Sequence, residues 1–162
     1  MRRLLNPLIA LIFTVLSGCS TISTYDQTAY QNATNAKAET FALMDKATNS
    51  YSSQAKEIQA LRLTLSKAYE YDKGRPLNQI TVEMWEVLLD PSRDLVGGFL
   101  RDWEADQTES KTFVDDKKEQ IGEAFDVISG LESAKINSSD AKQKADSVKK
   151  KNPQHTDRAR GH

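Results

Sequence analysis

The sequence is poor in the residue types on which enzyme and metal sites most often depend. Among 162 residues it has one cysteine, Cys19, and two histidines, His155 and His162. A single cysteine excludes an intramolecular disulfide. Both histidines fall in the last eight residues, a polar stretch that we expect to be disordered. The folded part is therefore expected to lack both a histidine-based nucleophile system and a histidine metal site.

Glycine and proline are also scarce, and this limits where the chain can turn. The seven glycines lie apart or lack the spacing of a phosphate-binding loop. No segment alternates convincingly between apolar and polar residues, the pattern expected of a half-buried strand. The sequence therefore predicts an all-α fold, a small helical bundle.

The N-terminus contains the only long apolar run. Met1-Arg2-Arg3 is followed by an almost wholly apolar stretch over residues 4–16. A membrane-spanning helix needs about 20 apolar residues, and this run is shorter. A charged start before a short apolar run is typical of an export signal. Residues 1–18 are therefore predicted to be a cleaved signal peptide.

The residues Leu16-Ser17-Gly18-Cys19 resemble the lipobox of bacterial lipoproteins, in which two small residues separate a leucine from the cysteine. The resemblance implies that Cys19 receives a diacylglycerol, that the chain is cut before it, and that the new amino group is acylated, for example with palmitate. Several acyl chains, at about 0.8 kcal/mol per buried CH₂, form a stable membrane anchor. No cofactor is expected besides this covalent lipid. The alternative is an ordinary secretory signal that happens to contain a cysteine.

The residue after the cysteine, at position 20, indicates the membrane to which such a lipoprotein is sorted. In lipoproteins of Gram-negative bacteria an aspartate after the lipidated cysteine retains the protein at the inner membrane. Ser20 therefore implies transfer to the outer membrane, if the host has one.

Charge divides the mature chain into two parts. Residues 20–140 hold 13 Lys or Arg against 21 Asp or Glu, a net of −8, whereas residues 141–162 hold 7 against 2, a net of +5. We expect residues 19–24 to be the lipidated cysteine and a tether, residues 25–140 one helical domain, and residues 141–162 a basic disordered tail. Lys149-Lys150-Lys151 could attract an anionic envelope surface or be only solvated. Nucleic acid is not an expected partner.

Apolar residues recur three and four apart over residues 25–74, and no Gly or Pro occurs there before Gly74. This pattern predicts one long N-terminal helix, with Asn49-Ser50 and Ser52-Ser53 as the places where it could bend or stop. Met44, Tyr51, Ile58 and Leu65 fall seven apart and form a heptad seam typical of a coiled coil. This seam could also join two copies of the chain.

Further helices are predicted after the turn at Gly74 and Pro76. Residues 81–89 have the pattern of a short helix, Asp90-Pro91 suggests the start of another that runs through Trp103, and residues 110–136 suggest a long C-terminal helix, which could lie antiparallel to the first. Gly97-Gly98 in the third helix means that either the helix breaks there or another backbone comes very close.

Two groups of residues are candidates for a functional site. Trp85, Phe99 and Trp103 could line an aromatic partner-binding groove or simply fill the core. An acidic run surrounds Trp103 and could hold a cation or supply catalytic carboxylates, although it lacks the spacing and glycine of a calcium loop. A solvated helix end is the simpler interpretation. The run comprises Asp102, Glu104, Asp106 and Glu109, with Asp115 and Asp116 following.

Taken together, these observations predict a lipid-anchored protein of the cell envelope, at the periplasmic face of the outer membrane. We expect it to be a non-enzymatic helical binding or structural module with a protein or cell-wall partner. The alternatives are an accessory lipoprotein of a transport or assembly complex, and an enzyme that uses the carboxylates near Trp103.

Overall fold

Six α-helices make up most of residues 23–155, the part of the chain that the computed structural model describes, and this part contains no strand. The predicted all-α bundle is confirmed. The lipobox, the signal region and His162 lie outside the described residues. The helices are α1 (Gln27–Met44), α2 (Ala55–Lys73), α3 (Gln79–Leu89), α4 (Val96–Asp106), α5 (Lys111–Glu132) and α6 (Ser138–Lys151).

Several helices begin where a side chain can accept a hydrogen bond from a free backbone N–H. The side chain of Asp26 accepts from Ala29 at 2.9 Å at the start of α1. Ser110 caps α5 in the same way. Such caps typically contribute about 1 kcal/mol each, which helps to fix where each helix starts.

A single helix over residues 25–74 was the wrong prediction. The chain leaves α1 after Met44, turns, and forms a short 3₁₀ helix, Tyr51–Gln54, before α2 begins. The break covers residues 45–54, which include the predicted place, and serine hydroxyls compete there for backbone groups. The Ser53 hydroxyl donates to the carbonyl oxygen of Ser50 at 2.6 Å.

The packing is largely antiparallel. α1 packs on both α2 and α5, and α5 also packs on α3 and α6. Lys37 contacts Asp126 at 2.5 Å, and Lys118 contacts Asp45 at 2.5 Å, so α5 runs opposite to α1, as the sequence suggested. The two tryptophans lie at separate points in the core: Trp85 packs edge-on against Phe125, and Trp103 packs edge-on against Tyr51.

The Gly97-Gly98 pair lies where another backbone comes very close. α4 starts only at Val96, later than predicted, and a Cβ at Gly97 would lie 2.3 Å from the carbonyl oxygen of Leu89. A Cβ at Gly98 would lie 1.8 Å from that of Arg93. Side chains at these positions would force α4 away from the chain that leads into it.

The predicted disordered tail is wrong for residues 141–155. These residues include most of α6, which packs on α3 and α5. Its buried residues stand four and three apart, so they form one apolar stripe facing the core: Ala141, Ala145 and Val148. The helical domain therefore continues past the boundary predicted at residue 140.

The chain beyond α6 is also held to the bundle. Asn152 is buried, and its carbonyl oxygen accepts a hydrogen bond from Arg93 at 2.6 Å. The His155 N–H donates to the carbonyl oxygen of Ser92 at 2.8 Å, and its ring lies 2.6 Å from Asp94. His155, expected to be disordered, is therefore part of the folded body.

Candidate functional site

The three candidate groove aromatics do not form a groove. Trp85 and Trp103 are fully buried and Phe99 is 1% exposed, so all three belong to the core. The Trp103 indole N–H donates to the carbonyl oxygen of Asn49 at 3.1 Å, which ties α4 to the break between α1 and α2. These three residues therefore stabilise the core of the bundle and do not form the predicted partner-binding groove.

The residues of the predicted heptad seam pack within the bundle of the single chain. Met44, Ile58 and Leu65 are buried and Tyr51 is half-buried against Trp103. These side chains contact other helices of the same bundle, and an oligomer through the seam stays a prediction.

The acidic run near Trp103 is spread over α4, the turn that follows it and the start of α5. Asp102 lies 2.7 Å from Arg101, and Asp115 lies 2.8 Å from Lys111. Burial, then repulsion from Asp106 and Asp102, raises the pKa of Glu109. Within residues 23–155 no three acidic, cysteine or histidine side chains are grouped to hold a metal ion.

The lysines near the end of α6 contact the acidic body. Lys149 lies 2.5 Å from Glu83 of α3, and Lys151 lies 2.7 Å from Glu123 of α5. The opposite charges of body and tail, read from the sequence, are thus brought together within one bundle.

The most unusual chemistry of the described chain is a buried charge cluster around Arg75, just after α2. Asp72 and Glu132 are 0% and 1% exposed. The Arg75 guanidinium donates from Nη1 to Glu132 Oε2, and the same nitrogen lies 3.6 Å from Asp72 Oδ1. Two buried carboxylates therefore share one cation, and we call these three side chains the Arg75 cluster.

The Arg75 cluster is not fully satisfied. Asp72 Oδ2 accepts a hydrogen bond from the Trp85 indole at 2.6 Å, but Asp72 Oδ1 and Glu132 Oε1 are buried without a hydrogen-bond partner. Burial raises the pKa of Asp72 to about 6, and repulsion from Glu132 adds to the rise, while the Trp85 bond and Arg75 oppose it. A buried group left without a partner normally costs stability.

The Arg75 cluster also holds the first described residues of the chain. Arg75 Nη2 donates to the Ser23 hydroxyl at 3.0 Å and to the Thr24 carbonyl oxygen at 2.8 Å. The N–H of Asp26 donates to the carbonyl oxygen of Glu132 at 3.4 Å. The segment before α1 is therefore fastened to the ends of α2 and α5. We call this part of the molecule, residues 23–26, 71–78 and 132–135, the Arg75 end.

Comparison with known proteins does not assign the chain to a family: no family model, no curated protein and no solved structure matches it. The N-terminal motif and the geometry of the bundle are therefore the basis for a functional proposal.

A groove of about 680 Å³ opens between α3 and the chain that follows α6. Its charged side chains contact one another: Glu83 pairs with Lys149, Asp90 lies 3.4 Å from Arg93, and Glu86 accepts from Tyr69 at 3.2 Å. Because these groups satisfy each other, the groove does not present convergent reactive groups.

The sequence carries a signal for the Arg75 cluster, although we did not predict the cluster from it. Asp72 stands four after Ala68, on the apolar stripe of α2, and Glu132 stands four after Ile128, on that of α5. A carboxylate at a core position of a helix needs a buried partner. That the partner is Arg75 follows only from the tertiary fold.

Proposed function

We propose that the chain is a lipid-anchored protein of the cell envelope, carried by an acylated Cys19, and that its bundle is a non-enzymatic binding or structural module. The observation that carries the proposal is the complete match of Leu16-Ser17-Gly18-Cys19 to a lipobox at the end of a charged and then apolar leader. Ser20 favours the outer membrane as its location.

The fold bears on how such an anchor would hold the domain. Within residues 23–155 no helix is both long and apolar enough to cross a bilayer. The Arg75 cluster fastens Ser23 and Thr24 to the bundle, so an anchor on Cys19 would hold the whole domain by a short linker. Such a linker suits a module that works close to the membrane.

The test is metabolic labelling with a radioactive fatty acid in cells that express the full chain. We expect the wild-type protein to be labelled, and Cys19→Ala to carry no label and to accumulate as an uncleaved or soluble form, because the thiol that accepts the lipid is gone. Ser20→Ala is the control and should keep its label. Label retained in Cys19→Ala would refute the proposal.

A further inference from the structure

The exposed large hydrophobic residues of the described chain are concentrated at the Arg75 end. Tyr25 is 55% exposed, Tyr71 38% and Leu77 57%. Tyr25 directly follows Thr24, which Arg75 binds, and the Tyr71 hydroxyl donates to Asp26 at 3.2 Å. Leu77 is two residues beyond Arg75. The fourth such residue, Leu63, lies in the middle of α2 and is 56% exposed.

The exposed Leu77 also has an unfavourable backbone conformation. Its φ of 56° is in the left-handed region, which a branched side chain rarely adopts. The turn is fixed from within, because the next residue, Asn78, is buried and donates to the carbonyl oxygen of Asp72 at 3.0 Å. A glycine would suit this backbone better, so the exposed leucine is not explained by the fold alone.

The length of chain before the described residues places this end near the proposed anchor. Ser23 is four positions after Cys19, and a fully extended chain spans at most about 3.6 Å per position, or roughly 14 Å. Because Arg75 holds Ser23 and Thr24, that distance limits how far the Arg75 end can move from an acylated Cys19.

The charges at this end are compatible with an anionic bilayer. The Arg75 end has no net charge that would repel anionic headgroups, because it holds three acidic and three basic side chains: Asp26, Asp72, Glu132, Lys73, Arg75 and Lys135. Tyrosine is enriched at the level of lipid headgroups, where its ring is buried and its hydroxyl stays hydrated. The composition of this surface therefore matches the interface between water and hydrocarbon.

We propose that Tyr25, Tyr71 and Leu77 form a membrane-contact surface, and that Leu77 enters the headgroup region of the bilayer that holds the lipid on Cys19. This inference rests on the proposed lipid anchor. The occupant of the surface is the bilayer itself, because a tether of this length keeps the surface beside it.

The experiment compares two labelled positions in the full, lipidated chain. Leu77→Cys and Leu63→Cys each introduce one thiol, which is the only free one because the lipid occupies the thiol of Cys19. The thiol carries a fluorophore sensitive to polarity. The proteins are reconstituted in phosphatidylethanolamine and phosphatidylglycerol vesicles, with and without lipids brominated close to the glycerol.

We expect the label at residue 77 to shift to the blue and to be quenched by the brominated lipid, and the label at residue 63 to show neither effect. Residue 63 is a matched control, because the two leucines are almost equally exposed. Tyr25→Cys gives a second position at the same surface, in case Leu77→Cys does not fold. Labels at residues 77 and 25 that behave like the label at residue 63 would overturn the proposed contact.

Flotation separates the two proposals. Protein that floats with the vesicles and carries an acylated N-terminal cysteine by mass spectrometry, yet shows no quenching at residue 77, would refute the contact and leave the anchor intact. Protein that carries no lipid and does not float would overturn both.

Discussion

The two terminal segments of the described chain are both fastened by an arginine and acidic side chains, but in different surroundings. At the Arg75 end, the side chains of Asp72 and Glu132 are almost completely buried. At the opposite fastening, which we call the His155 end (residues 90–94 and 152–155), Asp90 and Asp94 are 23% and 26% exposed. Ion pairs between arginine and carboxylate groups therefore fasten both segments, but they are buried at the Arg75 end and partly exposed to water at the His155 end.

This difference predicts which part of the bundle determines how its stability responds to mutation and to pH. Partly exposed ion pairs contribute little to stability because water already solvates both charges. Buried carboxylates have lost that solvation, so removing their cation leaves a large uncompensated cost. Mutations and pH should therefore act mainly through the Arg75 end.

The largest effect is expected from Arg75→Met. This change leaves Asp72 and Glu132 buried without a cation and should lower the free energy of unfolding by about 3–5 kcal/mol. Arg93→Met at the His155 end should cost roughly 1–2 kcal/mol, because Asp90 can be solvated. Urea unfolding followed by circular dichroism measures both, and equal losses would contradict the comparison.

A compensating variant sharpens this result. Combining Arg75→Met with Asp72→Asn and Glu132→Gln removes the buried negative charges together with their cation. Most of the lost stability should return, because the penalty comes from unpaired charge. No recovery in urea unfolding would mean that Arg75 acts through packing or through its bonds to Ser23 and Thr24.

The attachment of α6 to the bundle should depend on apolar packing instead. Val148→Asp places a charge on the buried face of α6 and should cost about 2–4 kcal/mol, whereas the exposed neighbour Ser147→Asp should be nearly neutral. Thermal melting of the two variants tests this. Similar melting temperatures would restore the view that residues 141–155 do not contribute to the fold.

The pH dependence of stability should also originate at the Arg75 end. Because the pKa of Asp72 is raised from 3.8 to about 6 in the folded protein, the folded state binds this proton more readily than the unfolded state. The free energy of unfolding should therefore fall as pH rises from about 4 to about 6, by at most about 3 kcal/mol at roughly 1.4 kcal/mol per pKa unit.

Asp72→Asn isolates this contribution, since Glu109 also has a raised pKa and adds a slope of the same sign. Melting temperatures of wild type and Asp72→Asn between pH 3 and 7.5 should converge below about pH 3.8 and separate above it, with the variant more stable at pH 7. Parallel curves would mean that the pH dependence of stability comes from groups other than Asp72.

The smallest expected change in stability comes from replacing the two exposed leucines with glycine, and it should have opposite signs at the two positions. Leu77→Gly relieves a left-handed backbone and should stabilise the bundle by about 0.5–1 kcal/mol, after the entropic cost of glycine is subtracted. Leu63→Gly, within α2, should destabilise it by about 1 kcal/mol. Chemical unfolding of both variants measures the difference, and two losses would mean that the Leu77 backbone is not strained.

Features set by neighbours in sequence were predictable, and features set by distant contacts were not. The helices, the break near Asn49-Ser50 and the close approach at Gly97-Gly98 follow from spacing and local backbone chemistry. The stripe of Ala141, Ala145 and Val148 was also present, but its small residues and the surrounding lysines made α6 look like a solvated tail. The Arg75 cluster joins residues 57 positions apart, which no local pattern can place.

The way the chain is fastened at Arg75 determines how the bundle carries force. A pull on the segment before α1 loads the hydrogen bonds from Arg75 to Ser23 and Thr24 and, through Glu132, the end of α5, before it reaches the first turn of α1. Tension is thus shared among three helices, and α1 is not peeled away from its end. The cluster therefore acts as a mechanical clamp as well as an electrostatic one.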